Sequence, residues 1–92
     1  MKELMNRINQ FRDDRDWRKF HNEKDLAISI SLEASELLEL FQWKKSEEVV
    51  ASSLKEIKEE LADVLIYSLM MADNLNLDVE DKIGRASCRE RV

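Results

Sequence analysis

An all-α fold, a small helical bundle completed by oligomerisation, is what this sequence predicts, on three observations. Among its 92 residues there is no proline and a single glycine, Gly84, so almost nothing in it interrupts a helix. The chain is 43% hydrophobic and 38% charged, a mixture that suits amphipathic helices better than disorder or β-structure. Its apolar residues also recur at spacings of three and four rather than two. A chain this short buries only a modest share of its surface by itself, so association is expected to complete the core.

The elements follow in order. The first helix, about Lys2 to Arg12, places Leu4, Met5, Ile8 and Phe11 on one side. "DDRDWRKFHNEKD" breaks that pattern and reads as a polar connection carrying Trp17, Phe20 and His21. Asn22, with Asp25 three residues on, resembles a capping box, so a second helix starts there and runs to about Trp43. Ser46 offers a cap for a short turn, "SEEVVA". Ser53 with Glu56 signals a long helix to about Asn74, and Asp78 caps a last one at "VED". Within the long helix, "LADVLIYSLMMA" (residues 61 to 72) is apolar nearly all round, with Asp63 its only charge. A helix apolar on every side is buried on every side. The other helices of so small a chain cannot surround it, so a second subunit is expected to.

The formal net charge of −5 excludes a general nucleic-acid surface, because no basic stripe exists to neutralise phosphates. A nucleotide remains admissible as a substrate if metal ions supply the positive charge. No window is long and apolar enough to span a bilayer, and Met1 to Gln10 lacks an apolar signal core. The expected compartment is the cytoplasm. "IGRASCRERV", residues 83–92, differs in kind: it holds the only Gly and the only Cys, Cys88, and shows no helical period. Its back-translation reads as a sequencing adapter. The expected organisation is therefore one domain over 1–82, truncated at its C-terminus, and a non-native tail over 83–92.

The carboxylates carry the chemistry. At 100° per residue, the apolar stripe of the second helix is Leu26, Ile30, Leu37 and Leu40. Glu33 sits at its centre, Glu36 at its edge near Ser29, and Glu39 points away. On the long helix, Glu60, Asp63 and Tyr67 project from one flank. Acidic i, i+3 pairs are common on solvated faces of so acidic a chain, and spacing alone says little. Direction says more. A carboxylate aimed into apolar surroundings is costly without a positive partner, and neither helix sets a Lys or Arg beside these residues on the inward face. A divalent cation reconciles them, and all-oxygen ligands suit Mg²⁺ or Mn²⁺.

"FRDDRDWRKFHNEKDLAISISLEASELLELFQW" followed by "EELADVLIY" resembles the MazG-like nucleotide pyrophosphohydrolases, of the all-α NTP pyrophosphatases, in particular their dCTP pyrophosphatase branch. The likeness covers roughly Phe11 to Asp81. It implies that Glu33, Glu36, Glu60 and Asp63 bind the Mg²⁺ that holds a triphosphate, and that Trp17, His21, Trp43 and Tyr67 frame the base. It implies hydrolysis of a (d)NTP such as dCTP to the monophosphate and pyrophosphate by a homodimer or homotetramer, with Glu36 orienting the attacking water. One departure stands out. The family continues past Asp81 with lysine, asparagine and basic–tyrosine positions that contact phosphate, which "IGRASCRERV" does not match. The competing expectations are a non-catalytic oligomeric interaction module and an inactive truncated fragment.

Overall fold

A computed structural model describes the backbone of residues 1–90 and the side chains of residues 1–84. In chain order the elements are α1 (Lys2–Asp14), one 3-10 turn (Arg18–Phe20), α2 (Glu23–Phe41), α3 (Ser46–Ser52), α4 (Leu54–Asn74) and α5 (Val79–Glu90). No strand occurs among the described residues, and the all-α expectation holds.

The frame is an antiparallel hairpin of α2 and α4. At one end, the Asn74 side chain, which closes α4, donates to the His21 carbonyl just before α2, at 2.7 Å. At the other, Glu60 near the start of α4 meets Glu33 and Glu36 in the second half of α2. The core lies at the first end: Ile8, Leu26, Leu69 and Met70 pack together, with Met5, Tyr67, Met71 and Val79 against them. The stripe expected on α2 is real. Leu26 is fully buried, and Ile30, Glu33, Leu37 and Leu40 are half-buried below it.

The inward face of α1 differs from expectation. Ile8 and Arg12 are its buried residues, while Leu4 and Phe11 stay exposed along an apolar groove of about 300 Å³ shared with Ile66 and Met70. Arg12 has no exposed surface. Its Nη1 donates to the Met70 carbonyl at 3.4 Å and its Nη2 to Asn74 Oδ1 at 2.9 Å, and Asp73 stands 3.8 Å away. Arg18 bridges Asp13 and Asp73 beside it. Arg12 thus meets the C-terminal end of α4, where the helix dipole favours a cation.

The helix ends follow local chemistry more closely than the sequence disclosed. Asn22 caps α2, its side chain accepting from the Asp25 amide at 2.8 Å. Asn22→Ala is expected to destabilise the fold by about 1 kcal/mol, read by urea unfolding. Ser46 is not a cap but the first residue of α3, behind Lys45. Ser53 does precede α4 but makes no side-chain capping bond. It also ends α3, its amide bound to the Val49 carbonyl, and its ψ of 29° departs from the extended backbone that a capping serine adopts. The capping-box expectation fails there for that reason. Asp78 caps α5 as expected, accepting from the Asp81 amide at 3.1 Å. Both α1 and α4 close with left-handed residues, Asp16 (φ 53°) and Asn76 (φ 56°). In each the next amide reaches back, Trp17 to the Arg12 carbonyl and Leu77 to the Ala72 carbonyl, both at 2.9 Å, a Schellman closure without glycine.

α5 is helical through Glu90, so the backbone is helical over 83–90, although that stretch shows no helical period in its sequence. Apart from Gly84, this stretch contains ordinary helix formers. The side chains of 85–92, Cys88 and the tail arginines among them, lie outside the described residues. No described helix is long and apolar enough to cross a membrane.

Candidate metal centre

Glu33 and Glu36 stand one turn apart on α2, which puts both on the side facing α4. The antiparallel pairing brings Glu60 up to them, and one carboxylate oxygen from each of the three lies within 4.8 Å of the others. Oε2 of Glu33 and Oε2 of Glu60 are buried with no hydrogen-bond partner. Among the described residues, none of the ion pairs involves any of these carboxylates.

The electrostatics register the strain. Glu33 is pushed up to about 7, first by burial, then by the adjoining Glu60 and Glu36 carboxylates, with the Asp63 charge behind them. Glu60 is also raised, mainly by burial and by Glu36. Asp63, one turn beyond Glu60, is half-buried. It is outside the close triad, although its charge reaches both raised glutamates. Buried, acceptor-only oxygens without a donor fit a cation, and an all-carboxylate set fits a hard one. The residues present therefore suit Mg²⁺ or Mn²⁺.

A file of rings leads from the outer surface to the hairpin. Phe11 and Trp17 meet edge to face at 5.1 Å, Trp17 and His21 at 5.8 Å, and His21 and Tyr67 at 6.5 Å. Tyr67 follows Glu60 by two turns of α4, so ring and carboxylate share a face about 10 Å apart along the axis. His21 is held neutral-leaning: burial and the Arg12 charge lower its pKa, and its Nδ1 is buried without a partner. The expected group Trp17, His21 and Tyr67 is thereby assembled.

Trp43 is not brought into it. It is 94% exposed, because α2 ends at Phe41 rather than continuing to Trp43. The Lys44 amide returns to the Phe41 carbonyl at 3.1 Å, forming a type II turn with Gln42 at φ −60°, ψ 128° and Trp43 at φ 66°. That last position favours glycine, and a bulky side chain there is strained. Trp43→Gly is expected to raise stability by up to about 1 kcal/mol, measured as an upward shift of the melting temperature.

Sequence reasoning missed Arg12, Asp73 and Asn74, the polar knot that anchors the Trp17–His21 segment. A signal existed: Arg12 lies four residues after Ile8 and seven after Met5, inside the apolar stripe of α1, just as Glu33 lies inside that of α2.

A helical hairpin that aims uncompensated carboxylates into its own groove defines an all-α protein with a candidate cation site. Residues 28–90 match the MazG-like family. The chain is 38% identical to the dCTP pyrophosphatase 1 of Bos taurus over 79 residues, spanning 80% of this chain and 47% of the relative. With that of Homo sapiens it shares 39% over 75 residues, 76% of this chain and 44% of the relative. It thus spans slightly under half the length of these curated relatives. Its structure is similar to the crystal structure of a pyrophosphatase from Archaeoglobus fulgidus, with a TM-score of 0.93 and 41% identity, covering 98% of this chain and 87% of that one. This chain belongs to the MazG-like family.

Proposed function

We propose that the chain is a Mg²⁺-dependent nucleoside triphosphate pyrophosphohydrolase, cleaving a (d)NTP, with dCTP the first to try, into the monophosphate and pyrophosphate. The observation that carries this reading is the triad of Glu33, Glu36 and Glu60, with two buried carboxylate oxygens that no protein donor meets. Mn²⁺ is the alternative ion. The relatives named dCTP pyrophosphatase 1 and the pyrophosphatase structure support the reaction class.

The division of labour follows the hairpin. Glu33, Glu60, Glu36 and Asp63 hold the cation, which when bound neutralises phosphate charge and polarises the phosphorus under attack. Glu36, the exposed member of the triad, faces solvent and orients or deprotonates the water. Tyr67, His21 and Trp17 stand two turns away, where a flat base stacks while its phosphates reach the acids. Trp43, held out in solvent, serves as an outlying aromatic contact to the base.

We place the reaction in a homodimer or homotetramer. Ile28 and Leu32 on α2 and Leu54, Leu61 and Leu65 on α4 are 46–59% exposed. On α4 the three recur at i, i+7 and i+11, a stripe that a second copy of the same hairpin covers. The non-catalytic module rests on this same stripe and predicts association without turnover.

The test is a pyrophosphate-release screen across nucleotides, with Mg²⁺ and with a chelator, alongside sedimentation. Metal-dependent release by an oligomer is the expected result. An oligomer that releases nothing from any nucleotide leaves the interaction module instead.

A further inference from the structure

We infer that Asn74 is a positioning residue, the clamp that holds the Trp17–His21 segment against Tyr67. Its amide works in both directions. Oδ1 accepts from Arg12 Nη2 at 2.9 Å, and Nδ2 donates to the His21 carbonyl at 2.7 Å. Arg12 is itself fixed, being fully buried and bound to the Met70 carbonyl of the same helix. A rigid guanidinium thus sets the amide, and the amide sets the peptide at His21.

Among the described residues, the other backbone bond at His21 is its amide reaching the Arg18 carbonyl at 3.2 Å, a local turn contact. Arg18 also ties the segment to α4 through Asp73 at 3.0 Å, but by a long, exposed side chain that does not fix the His21 peptide. The His21 ring meets Trp17 and Tyr67 edge to face, contacts of modest strength that tolerate sliding. Asn74 supplies direction. A side chain that both donates and accepts is required here, because a guanidinium only donates and a carbonyl only accepts. The catalytic consequence rests on the proposed function: the ring file is the base side of the site, so releasing the clamp loosens base binding and leaves the carboxylate end, about two helical turns away, unaltered.

Asn74→Asp separates clamping from folding. The carboxylate keeps an acceptor for Arg12 Nη2, but it has no donor for the His21 carbonyl and repels it. In the full chain with Trp43→Phe, Trp17 is the sole tryptophan, and its acrylamide quenching reports the segment without any substrate. The expected result is an unchanged melting temperature and a quenching constant raised about twofold; with Trp43 intact, KM rises about tenfold while kcat stays within about twofold. Val49→Ala, a cavity variant in α3 far from the clamp, should move neither the quenching nor KM. Unaltered quenching in Asn74→Asp overturns the inference, as does a fall in kcat at constant KM. If the wild-type chain releases pyrophosphate from no nucleotide, the proposed function falls, and the quenching arm alone decides the clamp.

Discussion

Glu33→Gln is expected to abolish pyrophosphate release and, at pH 8 without metal, to raise stability. These two effects have one cause. Folding forces the Glu33 carboxyl out of water and against Glu36 and Glu60, which lifts its pKa from 4.5 to about 7. Between those values the folded chain binds a proton that the unfolded chain has lost, so stability declines as pH rises through that window and is level above it. Glutamine carries no charge, so the slope attributed to this site disappears. With Mg²⁺ bound, the cation takes the proton's place, and the wild-type profile should flatten, while the variant, short of one ligand, responds less. Activity should drop by at least about a hundredfold, since a Lewis acid supplies several kcal/mol of transition-state stabilisation. Melting curves at pH 5 and 8, with and without millimolar Mg²⁺, check the stability effect, and pyrophosphate release checks the activity. A variant that melts lower than wild type at pH 8 without metal would show the glutamate to be structural.

Arg12→Met should be the most damaging substitution for stability. Methionine fills similar space but takes the guanidinium donor from the buried Met70 carbonyl and from the half-buried Asn74 Oδ1. Breaking a buried charge network from one side typically costs about 3 kcal/mol, here moderated because Asp73 keeps Arg18 at 3.0 Å. For a domain of this size that corresponds to a fall of about 15 °C in melting temperature, readable by calorimetry. A shift of only a degree or two would mean that apolar packing of α1 suffices.

The hairpin and its acids were legible because burial and charge conflict openly in the sequence. Glu33 sits where leucine belongs, and the structure buries it there. The same conflict at Arg12 passed unread because α1 is rich in charges and its stripe reads as Leu4, Met5, Ile8 and Phe11, of which Met5 and Ile8 join the core while Leu4 and Phe11 border an open groove. Spacing gives the face a side chain occupies but not the distance across to a neighbouring helix. That is why Glu60 and Asp63 read as equals, although only Glu60 joins the triad. Trp43 was illegible for another reason: the usual sign of a left-handed turn is Gly or Asn, and tryptophan there signals nothing in advance. Ser53 misled because α3 and α4 nearly abut, leaving it no extended backbone from which to cap, and Ser46 because α3 starts one residue early, with Lys45 in the extended position before it.

The knot around Arg12 also dictates the order of events during synthesis. Its partners lie 58 and 62 residues downstream, so α1 leaves the ribosome long before anything exists for it to bind. At ordinary elongation rates that interval is about 3–12 s. Throughout it, a charged, partly apolar helix is free to engage other surfaces. Docking of α1 therefore waits for the end of α4, and until then its apolar face stays open to other contacts.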